Sequence, residues 1–349
     1  MNIVSAASAL PEHYYDQPTV KKRLERIWAH RPEIVRRLDT LFENCGVEGR
    51  HFALPIERYE GLETFGQFND EWIRCALELG EKAVHKALER AGLAPRDVDM
   101  IITSTVTGLA APSIDARLCN RLDFRSDLKR MPLFGLGCVA GAAALARATD
   151  FAKANPKSVV LVLTIELCSL TWQRNDFSLA HIISAGLFGD GASCAVVTGA
   201  EHPSKGLRVV DTRSVFYRDT EDVMGWRIDE HGFNIILSPS VPSVAKERLG
   251  PDCAKFLSDH GLAPSDISFW ICHPGGPKVL AAARDSLELS DDAVALSWES
   301  LRNAGNLSSA SVMLILERTL QQRPPKPGSK GVLLAMGPGF CSELLLLQA

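Results

Sequence analysis

Apolar residues recur along the chain with two periods, one helical and one strand-like, and the order in which they alternate repeats. From Thr19 to Phe42, "TVKKRLERIWAHRPEIVRRLDTLF" sets Val20, Leu24, Ile27, Val35, Leu38 and Phe42 at helical spacing among basic residues, interrupted near Pro32. "DEWIRCALELGEKAVHKALERAGL" predicts a second helix that stops at Gly92, and the β-branched run "VDMIITSTV" predicts a strand after it. The segment "GLAPRDVDMIIT", starting at Gly92, then reappears as "GLAPSDISFWIC" at Gly261, an offset of 169. Cys138 is followed by an alanine-rich helix and the strand "SVVLVL"; Asn306 is followed by the helix "SASVMLILERTL" and the strand "GVLLAM". Cys138 and Asn306 are 168 residues apart. The same elements in the same order at a nearly constant offset predict an internal duplication. The fold class is therefore α/β with two similar halves, residues 1–203 and 204–349, joined near Gly199 to Gly206. The strand-like "GLRVVDTRSVFYR" opens the second half.

Composition narrows the class without changing it. A chain of 349 residues, 46% hydrophobic and 23% charged, can bury a substantial core in two domains or one fused domain. A net charge of −4 excludes wholesale attraction to nucleic acid or membrane, so the basic face of the first helix reads first as a solvated face. The N-terminus lacks a basic region followed by an apolar run, and no apolar stretch reaches membrane-spanning length, so a cytoplasmic protein is expected. Nine cysteines are scattered without a CxxC pair, which predicts neither a disulfide framework nor a zinc site.

"FGLGCVAGAAALARA", Phe134 to Ala148, admits two chemistries. Its glycines match a dinucleotide-binding loop, with Glu166 at the end of "VVLVLTIE" as the ribose acid. That reading leaves Asn306 and His273 without a role. If the halves pair about a pseudo-twofold axis, Cys138 and Asn306 face one central site, each at a helix N-terminus. Such an end lowers a thiol's pKa and holds an oxyanion. His273 follows the strand "ISFWIC" and precedes "PGGP", at the strand edge where functional groups of α/β folds collect. Two glycine-rich turns, "LFGDGAS" from Leu187 and "MGPGF" from Met336, flank further strands.

"GLGCVAG", "LFGDGA", "HPGGP", "GNLSSAS" and "GPG", in this order, resemble the type III polyketide synthases, the chalcone synthase-like enzymes. The resemblance spans nearly the whole chain, and "ELCSLTW" and "EDVMGW" look closest to the bacterial alkylpyrone and alkylresorcinol synthases. It implies the thiolase-like duplicated αβαβα fold, a homodimer, and acyl-CoA and malonyl-CoA as substrates, with no metal or organic cofactor. Cys138 would be the nucleophile that carries the acyl chain, and His273 and Asn306 would hold the enolate formed when malonyl-CoA decarboxylates. An alkyl-α-pyrone or alkylresorcinol is the implied product.

The resemblance also assigns the surroundings. Phe188 matches an aromatic gate between CoA tunnel and cavity. The second gate aromatic falls on Ile235, a departure from the family, with Phe233 two residues earlier. Cys168, Leu170 and Thr171, together with Val106, Thr107 and Ala111, line up with cavity-shaping residues, and the apolar Leu170 and small Ala111 suit an aliphatic starter. Gly337, Pro338 and Gly339 keep the family's glycine loop, and basic residues near Arg50 would grip the CoA phosphates. Two rival readings share the fold: a ketoacyl-ACP synthase III-like condensing enzyme, and a non-catalytic binding protein, against which the intact Cys138, His273 and Asn306 argue.

Overall fold

In the computed structural model, which describes residues 1–349, β1 (Asn2–Ala9) and the short β2 (His13–Asp16) lead into the first helical pattern. It splits as its proline requires. α1 (Gln17–Ile27) starts where Asp16 accepts the Thr19 N–H at 2.9 Å, and α2 (Pro32–Glu43) has Pro32 in its first turn, where no N–H partner is lost. β3 (Gly49–Phe52) pairs with β2. α3 (Phe65–Ala91) begins earlier than its hydrophobic pattern, because Thr64 and Gln67 form a capping box that satisfies two end N–H groups.

The first half continues through β4 (Met100–Thr105), α4 (Ile114–Leu118), β5 (Lys129–Phe134), α5 (Ala140–Ala154), β6 (Val159–Leu167), α6 (Leu179–Leu187) and β7 (Asp190–Thr198). The second runs β8 (Leu207–Phe216), β9 (Met224–Asp229), β10 (Gly232–Leu237), α7 (Val241–Ser258), β11 (Phe269–Cys272), α8 (Pro277–Ser286), α9 (Ala295–Ala304), α10 (Ser309–Gln322), β12 (Lys330–Gly337) and β13 (Cys341–Gln348).

The duplication predicted from the "GLAP" echo is visible down to single hydrogen bonds. Gly92 and Gly261 end α3 and α7 with φ of 66° and 68°, a left-handed conformation that costs glycine little. Leu93 N–H bonds Leu88 C=O, and Leu262 N–H bonds Leu257 C=O, both at 3.0 Å. Asp97 and Asp266 each accept the N–H of the alanine three residues earlier at 2.8 Å. The strands repeat too: β1–β7–β6–β4 and β8–β13–β12–β11 have the same order and the same antiparallel, antiparallel, parallel pairings. Within this sheet only β5 lacks a counterpart, and it forms one edge of the sheet, with β11 at the other. A short pairing of Asn2 and Ile3 with Arg208 and Leu207 joins both halves into one nine-stranded sheet.

α3 covers the first set of strands and α7 the second, while α5 and α10 lie between, each touching strands of both halves. These are the five layers of the thiolase-like αβαβα fold. The central helices approach closely because α5 is built of small residues: at Gly141 any Cβ would collide with the Ser309 carbonyl at the start of α10. No helix is long and apolar enough to cross a membrane.

Candidate active site

Both central helices begin at the middle of the molecule, and the site is built on the turns that enter them. Gly135 (φ 90°) and Gly137 (φ 55°) bend the chain so that Cys138 lies in a single 3-10 turn just before α5. From the opposite half, the turn after β12 closes on it. A Cβ at Gly137 would stand 2.7 Å from the Pro338 ring, and one at Gly337 would stand 2.6 Å from the Val139 nitrogen. Gly337 and Pro338 therefore act as a mould for the cysteine turn.

Asn306 is clamped from three sides. Its N–H bonds Leu187 C=O at 2.9 Å, and its C=O accepts from Gly189 N–H at 3.0 Å, so it brackets Phe188. Its side-chain amide donates to Gly275 C=O at 3.3 Å, in the turn that follows His273. Its Oδ1 accepts the Ser308 N–H at 2.8 Å, and the Ser308 hydroxyl lies 3.5 Å from Cys138 Sγ. Cys138 thus reaches Asn306 through Ser308, which the sequence contains in "GNLSSAS" but which carried no role there, and Asn306 in turn holds the turn after His273. His273 continues β11, its N–H on Leu334 C=O at 2.9 Å. The ring is 7% exposed, and neither ring nitrogen has a hydrogen-bond partner.

Burial governs the electrostatics. It pushes the Cys138 thiol up to about 11, against the pull of Ser308 and Asn306, and pushes the His273 imidazole down to about 3. The thiol thus lies above its ordinary value, the opposite of the direction expected of a helix end alone. Glu166, fully buried near Cys138, accepts from Ser309 Oγ at 2.5 Å, from Thr107 Oγ1 at 3.0 Å and from Val106 N–H at 3.1 Å. Burial still raises it to about 7.

A largely apolar cavity lies between α1 and the segments that carry Cys168 and Phe188. Cys168, Thr171, Phe188 and Ile235 form its walls, and α1 closes it with Val20, Leu24 and Ile27. Trp226 stands opposite Ile235 on the paired strand and supplies an aromatic wall that the sequence reading missed. Phe233 is not on the wall; it packs edge-on against Phe65 and Trp226.

Residues 2–202 match the family "Chalcone and stilbene synthases, N-terminal domain", and residues 208–349 match its C-terminal counterpart. The chain belongs to the chalcone and stilbene synthase family. It is 47% identical over 350 aligned residues to a 1,3,6,8-tetrahydroxynaphthalene synthase of Streptomyces peucetius subsp. caesius, covering 99% of this chain and 93% of that protein. It is 32% identical to a phloroglucinol synthase of Pseudomonas fluorescens, covering 96% of this chain and 95% of that protein. The crystal structure of 1,3,6,8-tetrahydroxynaphthalene synthase from Streptomyces coelicolor A3(2), a bacterial type III polyketide synthase, superposes with a TM-score of 0.94 at 32% identity, covering 100% of this chain and 99% of that one. The protein is accordingly a type III polyketide synthase, an acyltransferase that works by decarboxylative condensation of malonyl-CoA. The acyl-carrier-protein and dinucleotide readings fall with this assignment. Glu166, expected in the latter to meet a ribose, is sealed inside the synthase.

Several expected contacts of the synthase need correction. Arg50 cannot grip CoA phosphates: it is fully buried, and its guanidinium donates to Ala185 C=O at 2.6 Å and Phe188 C=O at 3.3 Å. It holds the chain from Ala185 to Phe188 from within. Thr107 is 2% exposed and does not face the cavity, because its hydroxyl serves Glu166, Trp72 and Leu167. Leu170 is core, packed with the residues under α3. Val106 is buried, whereas Ala111 sits on the outer surface. Gly339 (φ 140°) turns toward Phe216 rather than the cavity.

Proposed function

We propose that Cys138, His273 and Asn306 carry the synthase reaction and that the product is a polyhydroxylated aromatic of the tetrahydroxynaphthalene class. The observation that carries this is the link from Cys138 through Ser308 to Asn306, which also bonds the turn after His273, whose ring nitrogens are both free. Cys138 passes its proton to His273 as the thiolate attacks an acyl-CoA; the acyl group moves to sulfur and CoA leaves as the thiol. His273 and Asn306 then donate to the thioester carbonyl of malonyl-CoA. As carbon dioxide departs, they hold the negative charge on the enolate oxygen. The enolate carbon attacks the carbonyl of acyl-Cys138, the carbon–sulfur bond breaks to return the Cys138 thiolate, and the chain, two carbons longer and now a CoA thioester, is loaded again on Cys138 for the next cycle.

The aromatic product is supported by the 47% identity to a tetrahydroxynaphthalene synthase over 99% of the chain. Its skeleton is assembled from two-carbon units alone, so malonyl-CoA suffices as starter and extender. A second reading, an alkyl starter closing to a pyrone or resorcinol, is favoured by Val20, Leu24 and Ile27 at the far end of the cavity. Incubation of the purified enzyme with malonyl-CoA alone, and with medium- and long-chain acyl-CoA added, separates them by mass spectrometry. The aromatic must form from malonyl-CoA alone; products that appear only with the fatty acyl starter overturn this choice for the alkyl one. The same reading includes a homodimer, supported by β5, an open sheet edge with Met131 37% and Phe134 49% exposed.

A further inference from the structure

One wall of the cavity carries a chain of hydrogen bonds that loading and condensation do not use. The Tyr59 hydroxyl and Ser169 Oγ lie 2.5 Å apart, and both residues face the cavity that contains Cys168 and Phe188. Ser169 Oγ donates in turn to a carboxylate oxygen of Asp190, at the start of β7 and fully buried. Asp190 is fixed by backbone donors, Ala53 N–H at 2.6 Å and Ser169 N–H at 2.8 Å, while the Tyr59 oxygen accepts Leu54 N–H at 3.3 Å. Backbone anchoring alone would account for Asp190. It does not account for a tyrosine and a serine lined up between that carboxylate and a mostly apolar cavity, where polar groups are costly to place.

We infer that Tyr59, Ser169 and Asp190 form a proton relay that drives the intramolecular carbon–carbon closure of the finished poly-β-keto chain. The inference rests on the polyketide reading above. A methylene between two carbonyls gives its proton to the Tyr59 oxygen while the Tyr59 proton passes to Ser169 and the Ser169 proton to Asp190. The electron pair left on carbon attacks a carbonyl carbon further along the chain; the new carbon–carbon bond forms, and the carbonyl π pair moves to oxygen. The relay then reverses. Asp190 returns its proton to Ser169, Ser169 to Tyr59, and Tyr59 to the alkoxide, giving the aldol adduct, from which water leaves as the ring aromatises. No oxidant or co-reactant is consumed.

The groups suit these roles. Burial lifts Asp190 to about 6, where a carboxyl can take and return a proton near neutrality, with the adjacent Arg50 charge pulling the other way. Burial also holds the Tyr59 phenol well above its ordinary value, so it passes a proton on without stalling as phenolate. Tyr59 is the catalytic member, since it alone would touch the reacting carbon and oxygen. Ser169 and Asp190 act through it.

The test is product partition. Wild type, Tyr59→Phe, Ser169→Ala and Ser169→Thr are given malonyl-CoA, and ring-closed aromatic is measured against lactone and open-chain products of the same length, normalised to CoA released. The relay predicts that the closed-to-unclosed ratio falls by roughly 100-fold in Tyr59→Phe and Ser169→Ala and recovers in Ser169→Thr. A merely structural role lowers total CoA release and leaves the ratio unchanged, and that result overturns the relay. A wild-type enzyme that releases no CoA from malonyl-CoA alone fails the aromatic-product reading instead, so the two failures are distinguishable.

Discussion

Glu166 shows how far burial outruns hydrogen bonding around Cys138. With donors from Ser309, Thr107 and Val106 its carboxyl still sits near 7, well above its ordinary value. A carboxyl raised on folding stabilises the fold in its neutral form. That contribution is whole below the unfolded value of about 4.5 and is lost as pH rises through about 7. Glu166→Gln should therefore melt above wild type by a margin that widens from pH 5 to pH 8, measured by calorimetry. A constant margin would mean the carboxyl stays charged throughout. At this scale the sequence reading set Cys138 and Asn306 at matching places in the two halves, and the structure joins the two through Ser308. The reading failed at Arg50, because a sequence carries a residue's charge but not its burial. Tyr59, Ser169 and Asp190 could not be read at all, since residues 110 and 21 positions apart are joined only by folding.

Turns, more than helices or strands, decide where the chemistry stands. Gly137 and Gly92 make the point by contrast, since both have positive φ, yet a Cβ at Gly137 meets Pro338 at 2.7 Å while one at Gly92 meets nothing within 4 Å. Gly92→Ala should cost about 1 kcal/mol of stability and leave activity intact. Gly137→Ala should add a clash to that strain, costing about 2–3 kcal/mol and most of the condensation rate, because it displaces the turn holding Cys138. Denaturant unfolding with a coupled assay checks both; equal stability costs in the two variants would refute the mould formed by Gly337 and Pro338. The "GLAP" echo was readable because glycine, proline and aspartate punctuate a turn in ways any sequence displays. The start of α3 was not, because its capping box lies outside the apolar pattern, in Thr64 and Gln67. Leu170 and Thr107 were misassigned because a short segment after a strand does not reveal which of its side chains turn inward.

The two halves meet at one place: the first brings the turns of Cys138 and Phe188, the second Asn306, the turn after His273 and the turn of Gly337 and Pro338. That arrangement follows from the strand repeat and from α5 and α10 sharing the middle layer. The asymmetry is β5, unmatched in the second half and left with an unpaired edge. Wild type should run as a dimer in light scattering, and Met131→Asp with Phe134→Asp should make it a monomer, since paired edge strands place the charges where they are desolvated. A dimer that survives both substitutions would move the interface elsewhere. The account as a whole rests on the acyl chain being carried by Cys138. Peptide mass spectrometry of enzyme quenched during turnover of malonyl-CoA should find an acyl adduct on the Cys138 peptide, absent in Cys138→Ser, which should lose at least ~1000-fold in condensation rate. An adduct on another cysteine, or undiminished condensation by Cys138→Ser, would contradict it.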